Sequence, residues 1–185
     1  MNHAFTTWYG RRVRVLNTKV GVFLPLTQEE AQVQKPKIFE YVGIWDTGAT
    51  NSVITKKVVN DLNLKPIGVA EMNHAGGTSL ANIYFVNIVL PNSVTVAQVR
   101  VSEGQLIASK NVPEREQAQI LIGMDIIGLG DFAVTNFDGK TTLSFRLPSF
   151  EEIDFIPATR EHNVMEGGNR KQKRQFEAER RRGKI

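Results

Sequence analysis

Lys37-Ile38-Phe39-Glu40-Tyr41-Val42-Gly43-Ile44-Trp45-Asp46-Thr47-Gly48-Ala49 is the stretch on which the fold turns. The run up to Trp45 is rich in β-branched and aromatic side chains, the composition of a buried strand, and it stops abruptly at small and turn-forming residues. A carboxylate therefore sits on a sharp turn directly after a buried strand. Gly48, two residues on, allows backbone N–H groups to approach that carboxylate closely. Asp-Thr-Gly is also an ordinary turn sequence, so the meaning of this one depends on its surroundings.

Working outward, the segment Arg12 to Leu26 alternates apolar and polar residues around Gly21, which predicts a hairpin of half-buried strands. After the turn, Thr55 offers an N-cap for a helix of about two turns with Val58, Val59 and Leu62 on one face, ended by Asn63 and Pro66. Strands resume at Val69, with a hairpin tip at Ala75-Gly76-Gly77 and a long partner from Thr78 to Leu90. Pro91-Asn92 turns the chain into a further strand, Val94 to Val101. The apolar run Ile120-Leu121-Ile122-Gly123 reads as a core strand leading into a short helix from Asp125 to Leu129, with Asp125 as its cap. Phe132 to Phe137 and Thr141 to Leu147 flank Asp138-Gly139, a two-residue hairpin signal. The body is thus all-β, mainly strands with two short helices.

The chain has 185 residues, 41% of them hydrophobic, as expected of one folded domain with extensions. It contains no cysteine, which excludes disulfides, thiolate zinc sites and cysteine nucleophiles. The N-terminal segment has no apolar h-region of the secretory kind, which favours a cytoplasmic location. Met72 to Val99 carries no charged side chain, but asparagines and Pro91 interrupt it, so paired strands are expected there rather than a membrane span. The net charge of +4 is uneven, because residues 169–185 hold eight Lys/Arg and two Glu. A nucleic-acid surface on the body is therefore not expected. The basic end, after Gly167-Gly168, reads as a flexible or marginally helical tail, either simply solvated or binding an anionic partner such as RNA. His3, His74 and His162 are scattered and no His-Glu-x-x-His motif occurs, so neither a catalytic metal nor another cofactor is expected.

Together, Ile44-Trp45-Asp46-Thr47-Gly48-Ala49-Thr50-Asn51-Ser52-Val53-Ile54, the Gly76-Gly77 hairpin and Ile120-Leu121-Ile122-Gly123-Met124-Asp125 resemble, in order, the active-site signature, flap and second structural element of the retropepsins, the retroviral-type aspartic peptidases. The resemblance covers about residues 10–148. It implies a retropepsin-like acid protease fold, a closed β-barrel-like domain with a flap hairpin over residues 10–150, followed by an extension, 151–166, and the basic tail, 167–185. It makes Asp46 the catalytic residue, with Thr47, Gly48, Ala49 and Gly123 supporting it. Thr47 would reach toward a partner's equivalent loop, Gly48 would keep the floor of the site open, and Gly123 would let the second apolar segment pack behind the loop. His74, Ala75, Gly76 and Gly77 would face substrate from the flap; His74 reads more readily as a solvated loop residue, and the glycines also read as a plain turn. Two features depart from the family pattern. Trp45 is bulkier than the residue common before the aspartate, and the hairpin Phe132 to Leu147 exceeds the short terminal strand of the viral enzymes.

The chemistry requires two carboxylates, one ionised to deprotonate water and one protonated to hydrogen-bond the substrate carbonyl. No second Asp-Thr/Ser-Gly exists: Asp125, Asp131 and Asp138 stand in Asp-Ile-Ile, Asp-Phe-Ala and Asp-Gly-Lys. The second carboxylate is therefore expected from a homodimer partner, and the substrate to be a polypeptide. The alternative is a retropepsin-like dimerisation or peptide-binding module with little or no hydrolytic activity.

Overall fold

Strand β3, Phe39–Trp45, lies between β2, Leu16–Phe23, and β8, Ala118–Ile122. The computed structural model describes residues 3–25, 35–74, 77–106 and 112–182. Along β3, Tyr41, Gly43 and Trp45 are buried while the residues between them are not, the period of two that a strand imposes. In β2, Thr18, Val20 and Val22 keep the same phase straight through Gly21. The hairpin expected around Gly21 is therefore one continuous strand; the reach toward Leu26 lies outside the described residues.

Gly21 marks instead the place where the sheet closes on itself. It pairs with Glu40 of β3 on one side and with Val89 of β6, Gly77–Val89, on the other. A Cβ added there would meet Ile38 Cγ2 at 2.6 Å and Val89 Cβ at 3.2 Å, so three chain segments converge where only glycine fits. Neighbouring strands run β2-β3-β8-β4-β7-β6 and return to β2, where β4 is Val53–Ile54 and β7 is Thr95–Glu103. The result is a closed six-stranded barrel, with β5, Gly68–His74, paired to the outer half of β6 as a projecting hairpin. Its interior is filled by Val20, Val22, Ile54, Val58, Val86, Ile88, Val101, Ile120 and Ile122. Two short helices accompany it, α1 at Lys56–Asp61 and α2 at Met124–Ile127, so the all-β reading holds.

A second, three-stranded antiparallel sheet has the order β1-β10-β9, with β1 at Ala4–Trp8, β9 at Asp131–Thr135 and β10 at Thr142–Arg146. β9 and β10 are joined near Asp138-Gly139 as expected, but by a six-residue connection, 136–141, that includes a 3-10 turn at Phe137–Gly139 rather than by a two-residue hairpin; both Asp138 and Gly139 have positive φ, 50° and 69°. Strand β1 lies ahead of the first strand expected from the sequence. Its five residues, only one of them large and partly buried (Phe5), carry little pattern to read.

Trp45 ties this sheet to the barrel. Its indole packs on Phe5, Phe132 and Phe145 at ring centroid distances of 5.7, 5.9 and 5.1 Å, and its Nε1 donates to Thr18 Oγ1 at 2.9 Å. A buried indole N–H needs such a partner. The two departures from the family pattern, the bulky residue before the aspartate and the longer terminal hairpin, are thus one feature. The added sheet supplies the pocket that the large side chain fills.

Residues 1–150 form one compact unit and 151–185 a second. The second consists of α3, Phe155–Gly167, and α4, Arg170–Arg181, the latter begun by a capping box in which Asn169 and Gln172 satisfy each other's backbone N–H groups. Among the described residues no helix is long and apolar enough to cross a membrane.

Candidate active site

β3 and β8 run parallel, with Trp45 opposite Ile122, so the loops that follow them emerge side by side. The Asp46 N–H donates to the Ile122 carbonyl at 3.0 Å, continuing the ladder one residue past the strand. The chain then turns: Ala49 N–H donates to Asp46 O at 3.2 Å, and Gly48 N–H donates to Asp46 Oδ1 at 2.8 Å. A Cβ on Gly48 would lie 3.1 Å from that same carboxylate oxygen. Glycine therefore lets its own N–H come into bonding distance without crowding the group it orients. Asp46 is half-buried, while Thr47 and Gly48 are exposed, so one face of the carboxylate is held and the other is open.

Behind this loop lies a set of hydrogen bonds, some of them buried. The carbonyls of Ala49 and Thr50 accept from the N–H groups of Met124 and Asp125 at 2.8 and 3.1 Å. Asp125 in turn accepts from Ser52, its Oδ2 from the backbone N–H at 3.0 Å and its Oδ1 from the hydroxyl at 2.8 Å. The Ser52 hydroxyl also accepts from the Gly123 N–H at 3.1 Å, and Ser52 is fully buried. Gly123 has no room for a side chain: a Cβ would meet Asn51 C at 2.7 Å, Asn51 O at 2.8 Å and Ala49 O at 3.0 Å. The ends of β3 and β8 and the segments that follow them are thus joined by six hydrogen bonds.

Asp125 is placed differently from its sequence reading. Gly123 occupies the N-cap position of α2, and no side-chain capping bond is made there. The carboxylate turns to Ser52, which offers two donors, one of them a backbone N–H that burial would otherwise leave without a partner, while Asp125 Oδ1 also accepts from the Ile126 N–H in the first turn of α2 at 3.1 Å. Ser52 itself was not singled out in the sequence. It lies in a polar run, Thr50-Asn51-Ser52, and its partner is 73 residues away.

The projecting β5–β6 hairpin occupies the place expected for the flap. Its register runs from Gly68 opposite Ile83 to His74 opposite Gly77, and Gly77 has φ of 121°. Ala75, Gly76 and the His74 side chain lie outside the described residues. At the hairpin's base Glu103 of β7 accepts from Tyr84 Oη at 2.7 Å and Asn82 Nδ2 at 3.1 Å, and pairs with Lys56 Nζ at 3.4 Å. The Tyr84 hydrogen bond, foremost among these contacts, holds the Glu103 carboxyl below its usual range despite burial. Burial, aided by the Glu103 charge, pushes Tyr84 up to about 12.

A cavity of about 780 Å³ is lined among others by Tyr9, Lys19, Glu40 and Leu90, and does not include the Asp46 loop. Among the described residues no group of three or more His, Cys, Asp or Glu side chains is arranged to hold a metal ion.

Residues 39–126 match the family model described as aspartyl protease, a span that begins with β3 and ends in α2, so it includes Asp46, the projecting hairpin and Gly123. The match supports a protease function of the aspartic type over this span. Similar solved structures include a retropepsin-like aspartic protease from Rickettsia conorii, 13% identical with a TM-score of 0.47, over 80% of this chain and 96% of that one. Another is the Simian Foamy Virus (mac) protease, 14% identical with a TM-score of 0.37, over 60% of this chain and 92% of that one. No curated protein matches the sequence.

Proposed function

We propose that the chain is an aspartic endopeptidase whose active site is completed by a second copy, with Asp46 from each protomer forming the catalytic dyad. The observation that carries the reading is the Asp46 carboxylate, held on one oxygen by the Gly48 N–H and open on its other face, on a loop whose back is fixed by Gly123, Ser52 and Asp125. A single carboxylate cannot serve as base and acid in the same step. Two of them about 3 Å apart, at an effective dielectric of about 20, repel by about 5 kcal/mol when both are ionised, enough to retain one proton between them. That singly protonated dyad deprotonates water with one oxygen and hydrogen-bonds the scissile carbonyl with the other.

In this reading residues 10–150 hold the peptidase domain, 151–166 an extension and 167–185 a basic tail. Thr47, exposed beside Asp46, meets the partner's loop, Ala49 links the loop to α2 through its carbonyl, and the hairpin carrying His74, Ala75, Gly76 and Gly77 covers an extended polypeptide substrate. Turnover of a peptide library by wild type and by Asp46→Asn tests the claim. Loss of at least a thousandfold in rate is expected for the variant, on the order of what a catalytic acid–base group contributes; equal turnover by both proteins defeats the peptidase reading. Specific activity followed through dilution, with sedimentation on the same samples, tests the dimer: activity should fall with the dimer fraction, and a fully active monomer would contradict the shared dyad.

A further inference from the structure

We infer that the outer face of α4 is a docking surface for the phosphodiester backbone of nucleic acid. At 3.6 residues per turn, Arg170, Lys171, Arg174 and Arg181 fall within about 100° of arc, with only Ala178 among them, and Arg182 at the C-cap extends the row. All five cations are exposed. The opposite side of the helix is occupied: Lys173 Nζ donates to the Met165 carbonyl at 2.7 Å and Arg180 Nη1 pairs with Glu161 at 3.1 Å, both on α3, while Phe176 between them is half-buried. Docking of α4 on α3 through this side therefore aims the cationic row outward. Glu177 stands at one margin of the row, and Glu179 is turned away and bonded to Gln175.

The chemistry of the row selects its partner. Four of the five cations are arginines, whose planar guanidinium matches phosphate oxygens in a two-pronged geometry. Arg170 to Arg181 spans about 16 Å of helix, long enough to follow several successive phosphates. A helix that lies on a lipid surface needs a broad apolar face beside its cations. Here the sole aromatic of α4, Phe176, lies off the row on the side that bonds α3 through Lys173 and Arg180, and only Ala178 interrupts the row. Binding would be independent of base sequence, because nothing in the row is suited to reading base edges. The inference does not depend on the peptidase reading, and Asp46→Asn should bind as the wild type does.

The test uses the full chain and a fluorescent DNA duplex of arbitrary sequence, about 20 base pairs long, titrated at several salt concentrations. Five phosphate contacts predict a log–log slope of affinity against salt of about −4.5. Arg174→Ala/Arg181→Ala, which preserves helix propensity, should weaken binding about tenfold near 50 mM salt and make the slope shallower by about 2. Lys65→Ala/Arg100→Ala removes the same charge from exposed sites in residues 1–150 and should change affinity less than twofold. Absence of duplex binding at low salt, equal losses in the two double variants, or binding to phosphatidylserine vesicles in place of duplex would each overturn the assignment.

Discussion

The two sides of the Asp46 loop are built on opposite rules. On the front, Asp46, Thr47 and Gly48 reach solvent, and the carboxylate has one described bond, from its own turn. On the back, Ser52 and Gly123 are buried, Asp125 uses both oxygens, and Trp45 is enclosed by three phenylalanines. The contrast shows how a reactive group is held accurately without being consumed by its own scaffold. Position is fixed through the backbone from behind, and the side chain is left available. Substitutions behind the loop should therefore cost stability and activity together, whereas substitution in front should cost activity alone.

The strongest way to break that contrast is Trp45→Ala. It removes a ring that is 4% exposed and joins the barrel to the three-stranded sheet, and about 3–5 kcal/mol of stability should be lost. Denaturant unfolding of this variant beside Asp46→Asn checks it, since the latter should stay within about 0.5 kcal/mol of wild type. If Asp46→Asn proves as destabilised as Trp45→Ala, the front of the loop is structural after all.

Gly123→Ala comes next. The added methyl would lie 2.7 Å from the Asn51 carbonyl carbon, and the obstacle is backbone rather than a movable side chain, so the Asp46 loop must shift. A cost of about 1–3 kcal/mol is expected, with a fall in kcat larger than any change in KM, because a misplaced carboxylate harms the chemical step first. Unchanged kcat in a destabilised variant would separate the brace from the chemistry.

These two substitutions mark the boundary of what the sequence could show. Strand β3, the turn at Asp46, the β5–β6 hairpin and the turn at Asp138-Gly139 were legible because each is specified by neighbours a few residues apart. Closure of the barrel through Gly21 was not, since it depends on β6 arriving from some seventy residues downstream, and the glycine looked like a turn. The bulge near Asn87, where Asn87 Oδ1 takes the Gln98 N–H and Gln98 has φ of 53°, left no local sign either. For the candidate site, Asp46 and Gly123 stand out by motif. Ser52 and the true role of Asp125 could not, because a serine in a polar run and an aspartate at the start of a helix both have commoner explanations.

Asp125→Ala should cost about 1–3 kcal/mol, since Ser52 keeps a buried N–H and hydroxyl with their acceptor removed. Asp125→Asn sharpens the point: its amide oxygen can still accept one bond but its NH2 cannot accept the second, so an intermediate loss is expected. If the two variants unfold alike, one bond suffices and the brace is looser than its geometry.

The smallest effect expected concerns pH, and it separates the scaffold's acid from the site's. Glu103, at the base of the projecting hairpin, is held below the usual carboxylate range chiefly by the Tyr84 hydroxyl. A depressed carboxyl stabilises the fold fully above its unfolded value of about 4.3, and the contribution is lost as pH falls through the lower folded value. Tyr84 behaves in the opposite sense. Raised to about 12, it contributes fully below its unfolded value near 10, and the contribution is lost as pH climbs through about 12. Stability should therefore be flat across the mildly acidic range, so that an alkaline limb of activity, if the proposed dyad operates, would report the dyad and not unfolding. Tyr84→Phe tests the assignment. It should lower stability at neutral pH by about 1.5 kcal/mol, the value of a hydrogen bond to a charged group, and reduce the further loss between about pH 5 and pH 3 as Glu103 returns toward its ordinary value. Urea unfolding at three pH values is sufficient, and an acid limb equally steep in wild type and Tyr84→Phe would show that some carboxylate other than Glu103 governs it.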